Sequence, residues 1–480
     1  MHRPATWLWV LLAGIVLFSR LCHVNILWAD EDYHLAAGIQ MLHGKVLYRD
    51  LWYDKPPLSA MVSLLFGAWP GWPLRLAGGL LAVALCGAAY RFASRLWSPR
   101  EGFCAAGLLA FSLVFYLPSA TIPLEPDTLM ILPHTVAVFL AWRKKPLAAG
   151  VAAGLAFALN IKGLSVLAAC LIFVPAGLPL LLVGFLLPNA ILFAWLLSQH
   201  AFPAYVESVW RWGLLYAGAP PGDSPVDSAL LRVRNWFGFH AALAMAASWY
   251  WIRTKDSLRW RMLAWAAISL ASAGVGWRFS PHYLNQMLPP LAIAGARGII
   301  LLAAEARVPL RRFAMILLVA AALIPVVRFG PRYFLLAADD VAGRPHAWSD
   351  VAMDQESREA AALVKALAKP GDTIFIWGYR PNIVVYTRLP VASRMWESQP
   401  LTGVPADRHL RDAGSVDAEW ARLNRQELIR SSPSVIVDGL SAYNSGLDIA
   451  KFPDLQEWFK RYCPAGRAGG TTVYPLCARD

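Results

Sequence analysis

The sequence predicts a polytopic α-helical membrane protein with a small α/β domain at its C-terminal end, outside the membrane. Three observations predict this. Of 480 residues, 57% are hydrophobic and 16% charged, with a mean hydropathy of +0.45, too apolar for a soluble chain of this size. Apolar windows approaching the roughly 20 residues that cross the hydrocarbon core recur along the first two thirds. Beyond about residue 335 they stop: 13 of the 31 acidic residues precede Gly330, and the remaining 18 follow it.

Met1–Cys22 has a basic start and an apolar core, but no clear small-residue cleavage site follows, so it reads as a retained first helix. Apolar windows lie at 6–24, 74–93, 102–118, 126–142, 146–161, 164–176, 179–198, 236–252, 261–277, 283–302 and 311–328, eleven spans in all. Leu58–Trp69 follows Pro56 and Pro57 and is too short to cross, so it is expected to lie along the interface. With that choice the basic clusters Arg91/Arg95/Arg100, Arg143/Lys144/Lys145, Arg253/Lys255/Arg259/Arg261 and Arg307/Arg311/Arg312 share one side with the N-terminus. That satisfies the positive-inside rule and puts the C-terminal end outside. The net charge of +13 is therefore a topology signal, and nucleic acid is not an expected partner.

The two parts divide as 1–334, the membrane domain, and 335–480, the soluble α/β domain. In the latter "DQESREAAALVKALA" reads as a helix, and "DTIFIWG", "NIVVYT" and "PSVIVDG" read as strands. Cys22, Cys86, Cys104 and Cys170 lie in apolar segments, whereas Cys463 and Cys477 are positioned to pair if the tail is extracytoplasmic. No repeat or inverted symmetry of the transporter kind is visible.

On this topology three polar clusters meet the outer face. The opening loop carries Asp30, Glu31 and Asp32 at its start and Asp54 and Lys55 at its end. "PLEPDTLM" puts Glu125 and Asp127 at a span entrance, and "GWRFSPHYLNQMLPP" puts Arg278, His282 and Tyr283 at another, with Lys162 at the same level. Each has a plain structural reading: acids cap helix N-termini, Lys55 snorkels, and His282 and Tyr283 belong to the aromatic belt. Lys162 between two apolar segments fits such a reading less well, because an ammonium near lipid is costly. The combination favours chemistry: a carboxylate accepts a hydroxyl proton while a cation holds a phosphate leaving group, as glycosyl transfer from a phosphate-activated donor requires.

These residues resemble the lipid-phosphate-sugar-dependent membrane glycosyltransferases of the GT-C type, which include protein O-mannosyltransferases and the lipid A aminoarabinose transferase. The resemblance rests on Asp30-Glu31 after the first span, the surface helix "YHLAAGIQMLHG", and Asp54-Lys55-Pro56-Pro57-Leu58 leading into a second surface helix. "LEPDTLMILP", "NIKGL", "HYLNQMLPPLAIAGARGI" and the tail "GDTIFIWGYRPNIVVYTRLPVASRM" extend it over nearly the whole chain; Asp54 stands where some relatives carry Glu or His.

The resemblance implies a bacterial inner-membrane enzyme that inverts configuration while moving a sugar from a polyprenyl-phosphate carrier to an extracytoplasmic glycan, lipid or protein. It implies that Asp30 is the general base and that adjacent Glu31 orients the site or binds substrate. Lys55 would bind the donor phosphate and Asp54 tune that lysine or contact substrate. Glu125 or Asp127 would be the second-loop carboxylate, and Lys162, His282 and Tyr283 would line the donor site. No nucleotide site is needed and no cofactor is certain; a divalent metal ion stays open, since the acidic loop offers oxygen ligands. Two other classes compete. A transporter or flippase of lipid-linked sugars would concentrate charge at the bilayer midplane, and an assembly protein would leave Lys55-Pro-Pro unexplained.

Overall fold

The computed structural model describes residues 3–219, 224–346, 348–408 and 414–477. The chain folds into two compact units, each drawn from three segments. The first comprises Met1–Asn25, Gly71–Leu192 and Pro225–His346; the second comprises Ile26–Pro70, Phe193–Ser224 and Ala347–Asp480.

The first unit is helical throughout its described residues, and each of the eleven apolar windows coincides with helix. By length and composition, Trp72–Leu96, Pro175–Ser198, Tyr283–Ala303 and Val308–Ala342 suffice to cross a membrane, and Thr6–Leu21, Pro126–Trp142, Pro146–Leu159 and Ile161–Phe173 are shorter apolar helices. Proline opens many of them, as at Pro99, Pro126 and Pro146, where its missing N–H costs nothing and its fixed φ suits the first turn. Small residues let helices approach closely: a methyl group on Gly150 would lie 2.1 Å from the Leu181 carbonyl oxygen, and one on Gly184 2.1 Å from that of Leu147. Outward-facing Phe313, Ile316 and Val327 are the side chains expected against lipid.

One boundary differs from expectation. The last helix does not stop near residue 328 but continues to Ala342, because "YFLLAADDVA" is rich in good helix formers. Gly343, at φ 63°, ends it in the left-handed cap that glycine adopts without a Cβ penalty. Leu58–Trp69 holds an eight-residue helix, Pro57–Leu64, too short to span.

In the second unit, β1 (Ile374–Trp377), β2 (Val435–Asp438), β3 (Gly466–Ala468) and β4 (Thr471–Pro475) form one sheet in the order β1-β2-β4-β3. β1 and β2 are parallel and wholly buried, which is why both read as unbroken apolar runs, while β4 pairs antiparallel with β2 and β3. "NIVVYT", expected as a third strand, is the helix Pro381–Thr387: Pro381 presets its first turn, and Arg388 closes it in the left-handed region. The short β3–β4 hairpin carries little apolar alternation and gives no clear strand signal.

Cys463 and Cys477 form the expected disulfide across the ends of this hairpin, with a Cα–Cα distance of 5.0 Å. Closing a loop of 14 residues by this link is worth about 3 kcal/mol in the chain-entropy picture. The Cys463→Ser/Cys477→Ser double variant is expected to melt earlier by thermal unfolding of the full chain, and an unchanged melting temperature would show that the hairpin holds without the bond.

Candidate active site

The candidate residues fall into two groups, one in each unit. Asp30, Glu31, Asp54 and Lys55 belong to the second unit; Glu125, Asp127, Lys162, His282 and Tyr283 belong to the first.

In the second unit, three consecutive acids open the helix Glu31–Leu42 and have three different environments. Asp30 occupies the N-cap position, where Asp ordinarily accepts a helix N–H, yet it accepts none and is exposed. Its φ of 77° and ψ of −47° approach the strained γ-turn values of about +75° and −65°, rare for a residue with a Cβ. The turn thus presents a carboxylate to the outside at a backbone cost, a combination concentrated at functional sites. Glu31 is fully buried, and its Oε1 accepts the Trp28 N–H at 3.2 Å, which fastens that turn. Asp32, also fully buried, accepts the Asn382 N–H at 3.2 Å. Burial, reinforced by Asp30 and Glu31, raises the Asp32 pKa well above its ordinary value.

At the far end of the loop, Lys55 Nζ lies 2.9 Å from Asp54 Oδ2, and 42% of the lysine side chain remains accessible. Burial disfavours the ammonium, but Asp54 outweighs it, aided by Tyr216 and Asp30, and the Lys55 pKa ends above its usual value. The Asp54 N–H donates to the Tyr33 hydroxyl at 3.4 Å, which ties the two ends of the loop together. Burial, together with the nearby Asp30, Asp32 and Asp54, raises the Tyr379 pKa well above its usual value.

Tail residues hold this loop in place. Trp52 N–H donates to the Arg394 carbonyl at 2.8 Å, Arg394 Nε to the Tyr48 carbonyl at 2.7 Å, and Trp396 Nε1 to the Trp52 carbonyl at 2.8 Å. Tyr48 hydroxyl then donates to the Lys55 carbonyl at 2.7 Å. Arg394 is itself anchored by Glu207 at 2.7 Å. Tyr33 stacks with Tyr53, Trp396 and Tyr379 at ring separations of 5.3, 5.2 and 5.7 Å. Sequence reasoning did not single out Tyr33, Tyr379, Arg394 or Trp396; a clustering of aromatic and basic residues in "GYRP" and "SRMWES" was the only available signal.

Behind the loop, Glu397 and Asp407 are buried acids. Burial pushes the Asp407 carboxyl up to about 7, although Ser398 Oγ donates to it at 2.5 Å. The folded chain therefore holds this proton up to about pH 7, whereas the unfolded chain releases it near 3.8, so stability falls as pH rises through that window and levels off above it. Asp407→Asn keeps the neutral shape and is expected to raise the melting temperature above about pH 7 and flatten its decline from about pH 5. Equal pH profiles for variant and parent would show that Asp407 is ionised in the fold.

In the first unit, Glu125 caps the helix Pro126–Trp142, accepting from the N–H groups of Asp127 and Thr128 at 2.7 and 2.8 Å and from Thr128 Oγ1 at 2.7 Å. Asp127 Oδ1 accepts from Lys162 Nζ at 2.8 Å. Lys162 sits in a 3₁₀ turn capped by Asn160, with its Nζ 2.9 Å from the Tyr283 ring centroid. His282 meets Tyr283 edge to face at 4.6 Å. The five residues predicted here therefore do assemble. One ligand atom from each of Glu125, Asp127 and His282 lies within 4.8 Å of the others. Two carboxylate oxygens and an imidazole nitrogen suit a divalent cation, while Lys162 already neutralises Asp127.

Residues 54–212 match the family model described as dolichyl-phosphate-mannose-protein mannosyltransferase. No curated protein matches the chain in sequence. Among solved structures, ArnT from Cupriavidus metallidurans bound to undecaprenyl phosphate is similar with a TM-score of 0.63 at 15% identity, covering 100% of this chain and 99% of that one. The archaeal oligosaccharyltransferase AglB from Archaeoglobus fulgidus, in complex with an inhibitory peptide and a dolichol-phosphate, gives a TM-score of 0.50 at 13% identity, covering 99% and 74%. At these identities the likeness is one of fold.

Proposed function

We propose, from the premise that this chain is a family 39-like protein of the GT-C fold, that it transfers a sugar from a polyprenyl-phosphate carrier to an extracytoplasmic acceptor with inversion. The observation that carries the reading is the pairing, within one compact unit, of an exposed, uncapped Asp30 carboxylate with an accessible Lys55 ammonium. Asp30 takes the proton of the acceptor hydroxyl as its oxygen bonds to the anomeric carbon. The bond from that carbon to the phosphate oxygen breaks, and its electron pair leaves with polyprenyl phosphate. Lys55 holds the negative charge that develops there. Inversion follows from attack on the face opposite the leaving group. Asp54 keeps Lys55 charged and oriented, and buried Glu31 fixes the turn that presents Asp30.

Glu125, Asp127 and His282 would hold a divalent ion, which would supply positive charge when bound, and Lys162 and Tyr283 line that cluster. The acceptor is a cell-envelope glycan, lipid or protein in this reading, and the enzyme sits in a bacterial inner membrane with the N-terminus cytoplasmic and the tail outside. The Cys463–Cys477 bond supports that placement of the tail, since disulfides persist in oxidising compartments. Mass spectrometry of envelope glycans and lipids from cells with and without the protein is expected to reveal one sugar modification that disappears with it. Identical profiles, together with transport of labelled lipid-linked sugar by proteoliposomes, would replace this reading with a flippase.

A further inference from the structure

The carboxyl ends of the parallel strands β1 and β2 carry Gly378-Tyr379-Arg380 and Gly439-Leu440, the part of an α/β sheet where ligands commonly bind. Arg380 is fully buried. Its Nη1 donates to the Met353 carbonyl at 3.0 Å and to Ser357 Oγ at 2.9 Å, and its Nη2 to Glu356 Oε1 at 2.9 Å. Its Nε is buried with no acceptor among the described residues. A second guanidinium, from Arg408, lies 3.9 Å over the Tyr443 ring, with that of Arg380 5.4 Å from the same ring. Arg408 Nη1 is likewise buried without an acceptor among the described residues.

Glu356, the acid paired with Arg380, also accepts from Thr471 Oγ1 at 2.6 Å and from the Tyr443 hydroxyl. The neighbouring acids are committed elsewhere: Asp438 accepts the Leu440 and Ser441 N–H groups at 3.0 and 2.9 Å, and Asp407 accepts from Ser398. Burial and then the neighbouring Arg380 guanidinium lower the Arg408 pKa. Glycine makes room for the guanidinium arm: a methyl group on Gly439 would lie 2.8 Å from Arg380 Cγ and 3.4 Å from its Nε.

We propose that Arg380 and Arg408, at the carboxyl ends of β1 and β2, form an anion site for a phosphate monoester, borne either by a soluble molecule or by a lipid headgroup. Two unsatisfied donors on separate guanidiniums can each meet a different oxygen of one phosphate, and guanidinium forks match phosphate oxygens in geometry. The site needs no turnover and is independent of the glycosyl-transfer reading.

Calorimetric titration of the purified full chain with inorganic phosphate, and separately with short-chain phosphatidic acid in detergent micelles, tests it. Saturable binding is expected in at least one arm, and the responding arm identifies the source. Arg408→Gln is expected to bind about tenfold more weakly, as loss of one charge-assisted pair implies. Arg408→Lys, which keeps the charge but loses the fork, is expected to fall between the two and decides the matter if the Gln variant does not fold. Absence of binding in both arms, variants that bind as tightly as the parent, or acetate binding as well as phosphate would overturn the proposal.

Discussion

Asp30→Asn is expected to lower glycosyl transfer by about 10²- to 10⁴-fold, the usual contribution of a positioned general base. The substitution is unusually clean. The Asp30 side chain is exposed and caps no helix N–H, so the amide breaks no bond of the fold. Asn also tolerates positive φ as well as Asp does, so the turn at φ 77° should persist. Melting temperature and membrane abundance should therefore match the parent while turnover collapses. If turnover with a polyprenyl-phosphate sugar donor stays near normal, Asp30 is not the base. If it collapses along with stability, the strained turn rather than the carboxylate was needed.

Lys55→Met is expected to reduce transfer by about 10²- to 10³-fold, the scale on which one preorganised charge stabilises a developing anion. Stability should move little, since a partly exposed ion pair such as Lys55–Asp54 contributes about 0–1 kcal/mol. Lys55→Arg keeps the charge on a wider head and is expected to recover part of the activity. The informative contrast is with Asp54→Asn, which leaves the ammonium in place without its partner. A larger loss in Asp54→Asn than in Lys55→Met would move the main role to the carboxylate.

Much of this architecture was legible in the sequence because the membrane simplifies the code. Spans are long apolar windows, and Lys55-Pro56-Pro57 marks a loop end rather than a span, as the eight-residue helix Pro57–Leu64 bears out. β1 and β2 were readable because buried parallel strands are apolar on both faces. "NIVVYT" was not, since Val-Val-Tyr carries strand propensity that Pro381 and packing override. Residue pattern also cannot show that Arg394 and Trp396 hold the loop carrying Lys55. These contacts go mostly to backbone carbonyls, which any sequence provides, and they join positions more than 300 apart in the chain. The three acids Asp30, Glu31 and Asp32 look equivalent as letters, and only burial separates an exposed carboxylate from two internal ones.

The hydrogen bonds from Arg394 and Trp396 to the loop at Tyr48 and Trp52 also set an order of events during synthesis. The loop leaves the ribosome early, but its clasp is encoded near the end of the chain. At about 5–20 residues per second, the residues that carry Asp30 and Lys55 wait roughly a quarter of a minute to somewhat over a minute before their partners exist. A ribosome that stalls or a message cut short before codon 394 yields a protein whose spans are in place but whose loop is unclasped. Completion of translation thus doubles as the last assembly step of this site.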